Sequence, residues 1–157
     1  MPVFERSIEI HAPIGDVFAF HLDTRNAARI ASKGQEFVSI VGEFPLSEGG
    51  EVELNVRMKP LPGVQNWRVR ITEVAEPVLV VDELLKGPFA RFRHEHRFAP
   101  APGGGTVLTD RIEWELPGGP AGRLAAPIAR HLMERSFVER QAATKRILEA
   151  ETASTPA

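Results

Sequence analysis

The chain has 157 residues, 43% of them hydrophobic and 25% charged, with a formal net charge of -2. That length suits one domain with a sizeable core, and the charge lacks the basic excess of a general nucleic-acid binder. Cysteine is absent, which excludes disulfides, thiolate catalysis and cysteine-ligated zinc.

The opening MPVFERSIEIHAP alternates apolar and charged residues, the pattern of neither a signal peptide nor a membrane span. No later apolar run reaches bilayer length, so the expectation is a cytoplasmic protein with no integral membrane segment. Val3 to Ile10 reads as a strand with one half-buried face, ended by Ala12-Pro13. A short helix opens at Gly15-Asp16, with Asp16 as cap and Val17, Phe18 and Phe20 on its apolar side. Asp23 to Ser32 reads as a second short helix, with Gly34 just past its end. Strands follow over Glu36 to Phe44, Val52 to Met58, Trp67 to Ile71 and Val78 to Leu85, separated by glycine- and proline-bearing turns.

Residues 87–116 form the most informative stretch: two strands joined by a turn near Pro102-Gly103. Side chains alternate along a strand. Phe92, His94, His96 and Phe98 therefore share one face of the first strand, and Leu108, Asp110, Ile112, Trp114 and Leu116 share one face of the second. The turn sets His96 opposite Asp110, His94 opposite Ile112 and Phe92 opposite Trp114. The preceding turn, Lys86-Gly87-Pro88, sets Glu83 against Arg91 outside and Asp82 beside Phe92 inside; a one-residue slip would turn Glu83 inward instead. Arginines 68, 70, 91, 93, 97 and 111 interleave with glutamates as a solvated outer face.

Beyond Pro117-Gly118-Gly119-Pro120 the chain becomes helical through residue 150. Leu124, Ile128 and Leu132 follow helical spacing, and Met133, Phe137, Ile147 and Leu148 widen the apolar face. Pro127 is expected to kink this helix or delay its start. Residues 1–150 form a single domain, and 151–157 a flexible tail. Six strands in succession without intervening helices predict an antiparallel sheet and an α+β architecture. The sheet curves around the long C-terminal helix, and a cavity remains wherever the helix does not fill the concave side.

This order of elements resembles the START-related helix-grip superfamily (SRPBCC), in its bacterial polyketide cyclase/dehydratase-like branch. The resemblance rests on Ala12-Pro13 with Val17-Phe18, on Gly87-Pro88-Phe89 with Phe92, His94, His96 and Phe98, and on Thr109-Asp110, Ile112, Leu116-Pro117 and Gly122-Arg123-Leu124. Trp114 stands where that branch more usually has tyrosine, and the segment after Phe137 and Arg140 is atypical. The resemblance implies a helix-grip fold: about seven strands gripping the C-terminal helix, two short helices after the first strand, and an internal cavity for an apolar or amphipathic ligand. It does not imply one activity.

The expected ligand-binding residues are Trp67, Asp82, Phe92, His94, His96, Asp110, Ile112, Trp114, Leu132 and Phe137. His96 with Asp110 suits general acid/base chemistry, and equally a structural pair that holds strand register. His94, His96 and Asp110 also make a two-histidine, one-carboxylate donor set, but nothing supplies a further ligand, so no metal or cofactor is expected. His21, near a helix end, reads as a surface or capping residue. The leading expectation is binding of a small hydrophobic ligand, such as a lipid, isoprenoid or aromatic polyketide. The alternatives are a cyclase/dehydratase-type enzyme with His96 as base and Asp110 orienting it, and a protein-interaction module without a deep pocket.

Overall fold

The structure is a computed structural model that describes residues 2–155. Its elements run β1 (Val3–Ile10), α1 (Ile14–Leu22), α2 (Asn26–Arg29), β2 (Gln35–Val41), β3 (Glu51–Met58), β4 (Val64–Ala75), β5 (Leu79–Lys86), β6 (Arg91–Pro100), β7 (Thr106–Glu115) and α3 (Pro120–Ser154). Seven strands form one antiparallel sheet in the order β1-β7-β6-β5-β4-β3-β2. Chain neighbours pair as hairpins throughout, except that β1 closes against β7. The fold is the expected helix grip: a curved sheet with a long C-terminal helix and two short helices between β1 and β2.

The β6–β7 register follows the sequence reading: His96 pairs with Asp110, His94 with Ile112 and Phe92 with Trp114. The β5–β6 register does not. Asp82 pairs with His94, and Glu83 with Arg93 rather than Arg91. The displacement is two residues, so every side chain keeps its face. Asp82 points inward, and Glu83 points outward to Arg93 at 3.4 Å. The outer face carries the expected charge pairs, among them the exposed Arg70–Glu51 at 2.6 Å and the half-buried Arg111–Glu113 at 2.6 Å; exposed pairs contribute little stability.

Several boundaries differ from expectation. Asp16 lies in the first turn of α1 rather than at its cap, which is Pro13; there its charge still favours the helix N-terminus. The second helix shrinks to one turn, Asn26–Arg29. The Asp23 carboxylate instead accepts from the Arg25 backbone and guanidinium, a local bond that competes with helix. Strand β2 ends at Val41, three residues before Phe44, after a bulge between Phe37 and Ser39.

The largest correction concerns α3. The Leu124, Ile128 and Leu132 stripe is not core: these residues are 83%, 68% and 42% exposed. The buried stripe runs instead through Met133, Gln141, Thr144 and Leu148, with Phe137 half-buried between them. The helix packs mainly on β1 and β7, so its first turns overhang the concave face without closing on it. It runs unbroken across Pro127 and ends at Ser154, four residues into the segment expected to be tail; Pro156 and Ala157 lie outside the described residues. Gly122 marks its close approach to the end of β7: a Cβ there would stand 2.5 Å from the Pro117 carbonyl oxygen and 2.8 Å from that of Leu116. Among the described residues, no helix is long and apolar enough to cross a membrane.

Candidate functional site

Between the concave face and α3 lies a cavity of about 840 Å³, within the usual range for small-molecule sites. Its apolar wall includes Leu54, Val56, Met58, Trp67, Phe92 and Phe137. Trp67, Phe89 and Phe92 meet with ring centroids 5.0–5.8 Å apart, in tilted and edge-on geometries that aromatic pairs favour. Leu132 and Ile128 contribute to the lining from the overhanging part of α3. Of the Leu124, Ile128 and Leu132 stripe, Ile128 and Leu132 therefore belong to the rim of the cavity, and Leu124 is not part of its lining.

Asp82, His94 and His96 bring polar groups to this wall. His96 is held at both ring nitrogens: Nδ1–H donates to Asp110 Oδ1 at 3.1 Å, and Nε2–H to Asp82 Oδ2 at 3.2 Å. His94 Nε2–H donates to the same Asp110 oxygen at 2.8 Å. The other oxygen, Oδ2, accepts from Gln141 Nε2 at 2.8 Å, and that amide also donates to the Arg6 carbonyl at 3.0 Å. Asp110 thus ties β6, β7 and α3 together, and through Gln141 also β1.

An ionised carboxylate only accepts hydrogen bonds. Both ring nitrogens of His96 must therefore carry protons, which makes it an imidazolium. Burial opposes that charge, but the hydrogen bonds to Asp110 and Asp82 outweigh it and raise the pKa to about 9. Burial likewise opposes ionisation of Asp110, yet its bonds to His94 and His96 hold it well below the usual carboxylate range. Asp82 is lowered in the same way, chiefly through His96. His94 goes the other way: burial and the neighbouring charge of His96 depress its pKa, and its bond to Asp110 offsets this only in part. The cluster thus contains two carboxylates, one imidazolium and one neutral imidazole.

His21 and Arg140 were not among the expected site residues. His21 lines the cavity rather than the surface, with its ring centroid 5.0 Å from His96 and 5.1 Å from Phe98. Its Nδ1–H donates to the Val17 carbonyl at 2.7 Å, the i−4 position that identifies it as a residue of the last helical turn. Burial and the positive charge of His96 lower its pKa to about 3, so it is neutral. Arg140 reaches the same wall from α3. Its spacing of three from Phe137 puts both on one helix face, a signal legible in the sequence. A small pocket of about 30 Å³ lies behind the cluster, bounded by Asp110, Gln141, Arg140 and His21, and the Gln141 Oε1 atom is buried without a partner.

Most of the expected ligand-binding residues line the large cavity, and three do not. Ile112 and Trp114 are both 0% exposed. They share the inner face of β7, but Met133 and Phe137 of α3 pack over them. Asp110 reaches only the small pocket. For a metal, Asp82, His94 and His96 present donor atoms within 4.8 Å of one another. The Asp82 oxygen and both His96 nitrogens are already engaged in hydrogen bonds that need the imidazolium, and a metal ligand must be deprotonated. The cluster in this protonation state is a proton-filled ion network.

The family model described as "Polyketide cyclase / dehydrase and lipid transport" matches residues 1–149. No curated protein sequence matches the chain. Among solved structures, the TTHA0849 protein from Thermus thermophilus superposes with a TM-score of 0.77 at 18% identity, covering 98% of this chain and 100% of that one. A START superfamily protein from Mycobacterium smegmatis gives 0.67 at 15% identity, over 96% of this chain and 99% of that one. The di-domain ARO/CYC StfQ of the steffimycin biosynthetic pathway gives 0.75 at 12% identity, over 96% of this chain and 51% of that one. At these identities the structural likeness speaks for the fold alone, but the family match spans nearly the whole sequence: the chain belongs to the polyketide cyclase/dehydrase and lipid transport family.

Proposed function

We propose that this protein binds a small apolar or amphipathic molecule in the cavity between the sheet and α3, with the ligand's polar end toward His94, His96 and Asp82. The single observation that carries this reading is the cavity itself: about 840 Å³, walled largely by aliphatic and aromatic side chains, with one ion cluster set into it. Burying apolar ligand surface contributes roughly 25 cal/mol per Å² before the entropic costs of association. Trp67, Phe92, Leu132 and Phe137 would supply that contact, and Asp110 would act from behind by holding both histidines. A cavity of this size stands against the interaction-module alternative, which expects no deep pocket.

The test is identification of co-purifying small molecules by denaturing extraction and mass spectrometry, followed by titration of the purified protein with them. Saturable binding that weakens when Trp67→Ala or Phe92→Ala removes the wall supports the reading. Absence of saturable binding by the extracted molecules and by a panel of lipids, isoprenoids and aromatic polyketides overturns it.

A catalytic reading rests on the same cluster, because His96 lies on the cavity wall rather than sealed behind it. Its chemistry differs from the sequence expectation. A histidine already protonated at neutral pH begins a reaction as a general acid, not as a base. Loss of turnover in His96→Gln with binding retained would favour this reading; unchanged turnover would remove it.

A further inference from the structure

The ion cluster around His96 is closed on itself by hydrogen bonds, but one charge in the cavity wall stands outside it. The Arg140 guanidinium lines the cavity and lies with Cζ 5.5 Å from the Phe137 ring centroid. Its one hydrogen bond among the described residues goes from Nη1 to Gln35 Oε1 at 3.1 Å, a neutral acceptor. Arginine offers five N–H donors in a rigid fork, so most of this fork has no protein acceptor. No carboxylate of the described residues lies within ion-pair distance of it. Arg6, Arg91, Arg123, Arg135 and Arg146 also lack a carboxylate partner, but all five are exposed, whereas Arg140 is half-buried in the cavity wall. Burial weighs against its charge, and Asp110 and Asp82, acting from a distance, compensate only in part.

We infer that Arg140 is the anchor of a carboxylate subsite, and that the ligand class is an apolar molecule ending in a carboxylate. This inference rests on the cavity-binding reading above. A charge partly withdrawn from water without a partner carries a desolvation cost. A carboxylate placed on the open edge of the guanidinium neutralises that charge and matches the fork with two parallel bonds. A neutral carbonyl would satisfy N–H groups but leave the charge unpaired, so the site discriminates between an acid and its ester. The Phe137 ring at the same point lets apolar ligand surface begin directly beyond the headgroup. His96 does not compete for the anion, because both of its donors are already taken by protein carboxylates.

The experiment compares dodecanoate with methyl dodecanoate by isothermal titration of the purified full chain at pH 8, where the acid is ionised. Wild type is expected to bind dodecanoate about ten-fold or more tighter than the ester, as for a charge-assisted bond. Arg140→Gln should abolish that preference by weakening acid binding far more than ester binding, and Arg140→Lys should retain part of it. Equal affinity of wild type for acid and ester overturns the carboxylate subsite and leaves cavity binding standing. Persistence of the preference in Arg140→Gln overturns the assignment to Arg140. If neither probe binds, the carboxylate subsite falls, and cavity binding is decided by the extracted molecules and the ligand panel above. Should Arg140→Gln not fold, as judged by near-ultraviolet circular dichroism, the wild-type comparison and Arg140→Lys still decide.

Discussion

Replacing Asp110 by asparagine removes the charge that holds both histidines, and the consequence can be worked through from His96. Its pKa rises from 6.5 in the unfolded chain to about 9 in the fold, a change equivalent to about 3 kcal/mol of preferential stabilisation of the charged form. Its side chain is only 14% exposed, so solvent screening takes little from that figure. Because the folded state holds this proton more tightly, the contribution is complete below pH 6.5. It disappears as pH rises through about 9. Wild type should therefore lose stability between those values. Asp110→Asn should flatten that limb, lower the His96 pKa by at least about one unit, and destabilise the protein by roughly 3–5 kcal/mol at pH 7, the cost of stranding a buried charge. Histidine Cε1 chemical shifts followed by NMR against pH give the pKa directly, and urea titrations across the same range give the stability. A wild-type His96 that titrates near 6.5 would refute the double hydrogen bond, whatever the stability data showed.

His21 should contribute to the acid limb, beside His94, Asp82 and Asp110, whose pKa values the fold also lowers. The unfolded chain protonates His21 near 6.5 and the fold only near 3, so stability declines as pH falls through that window. Urea midpoints should show His21→Phe declining less steeply than wild type. Gly122→Ala should destabilise by about 1–3 kcal/mol despite alanine's higher helix propensity, because its Cβ would meet two backbone carbonyls; a higher melting temperature would contradict that packing. Two substitutions separate core from rim. Trp114→Ala should cost about 3–5 kcal/mol, whereas Ile128→Ser, at a position 68% exposed, should stay within about 0.5 kcal/mol, both read from chemical denaturation.

The strand sequence, the antiparallel sheet and the face on which His94, His96 and Asp110 stand were all legible in the chain. A strand has a period of two, and a tight turn near Pro102-Gly103 leaves few ways to pair Phe92–Phe98 with Leu108–Trp114. The β5–β6 hairpin was less legible. Its last pair is Glu83 with Arg93, so the unpaired stretch 84–92 is longer than the 101–105 stretch of the next hairpin, and alternation alone cannot distinguish registers two residues apart. The face of Asp82 followed from pattern, but its partner did not.

The orientation of α3 was decided only in three dimensions. Leu124, Ile128 and Leu132 satisfy helical spacing as well as any core stripe, but spacing does not say which face the sheet will meet. The face that β1 and β7 select carries Gln141 and Thr144, polar residues that hydropathy assigns to solvent. Gln141 is tolerated there because Asp110 and the Arg6 carbonyl accept its amide hydrogens. The same docking covers Ile112 and Trp114, and turns Leu132 toward the cavity and Arg140 into its wall. Residues within one hairpin find each other through local chain geometry. His21, Asp82, Asp110 and Arg140 come from four separate elements, and only the packing of helices on the sheet brings all four into one site.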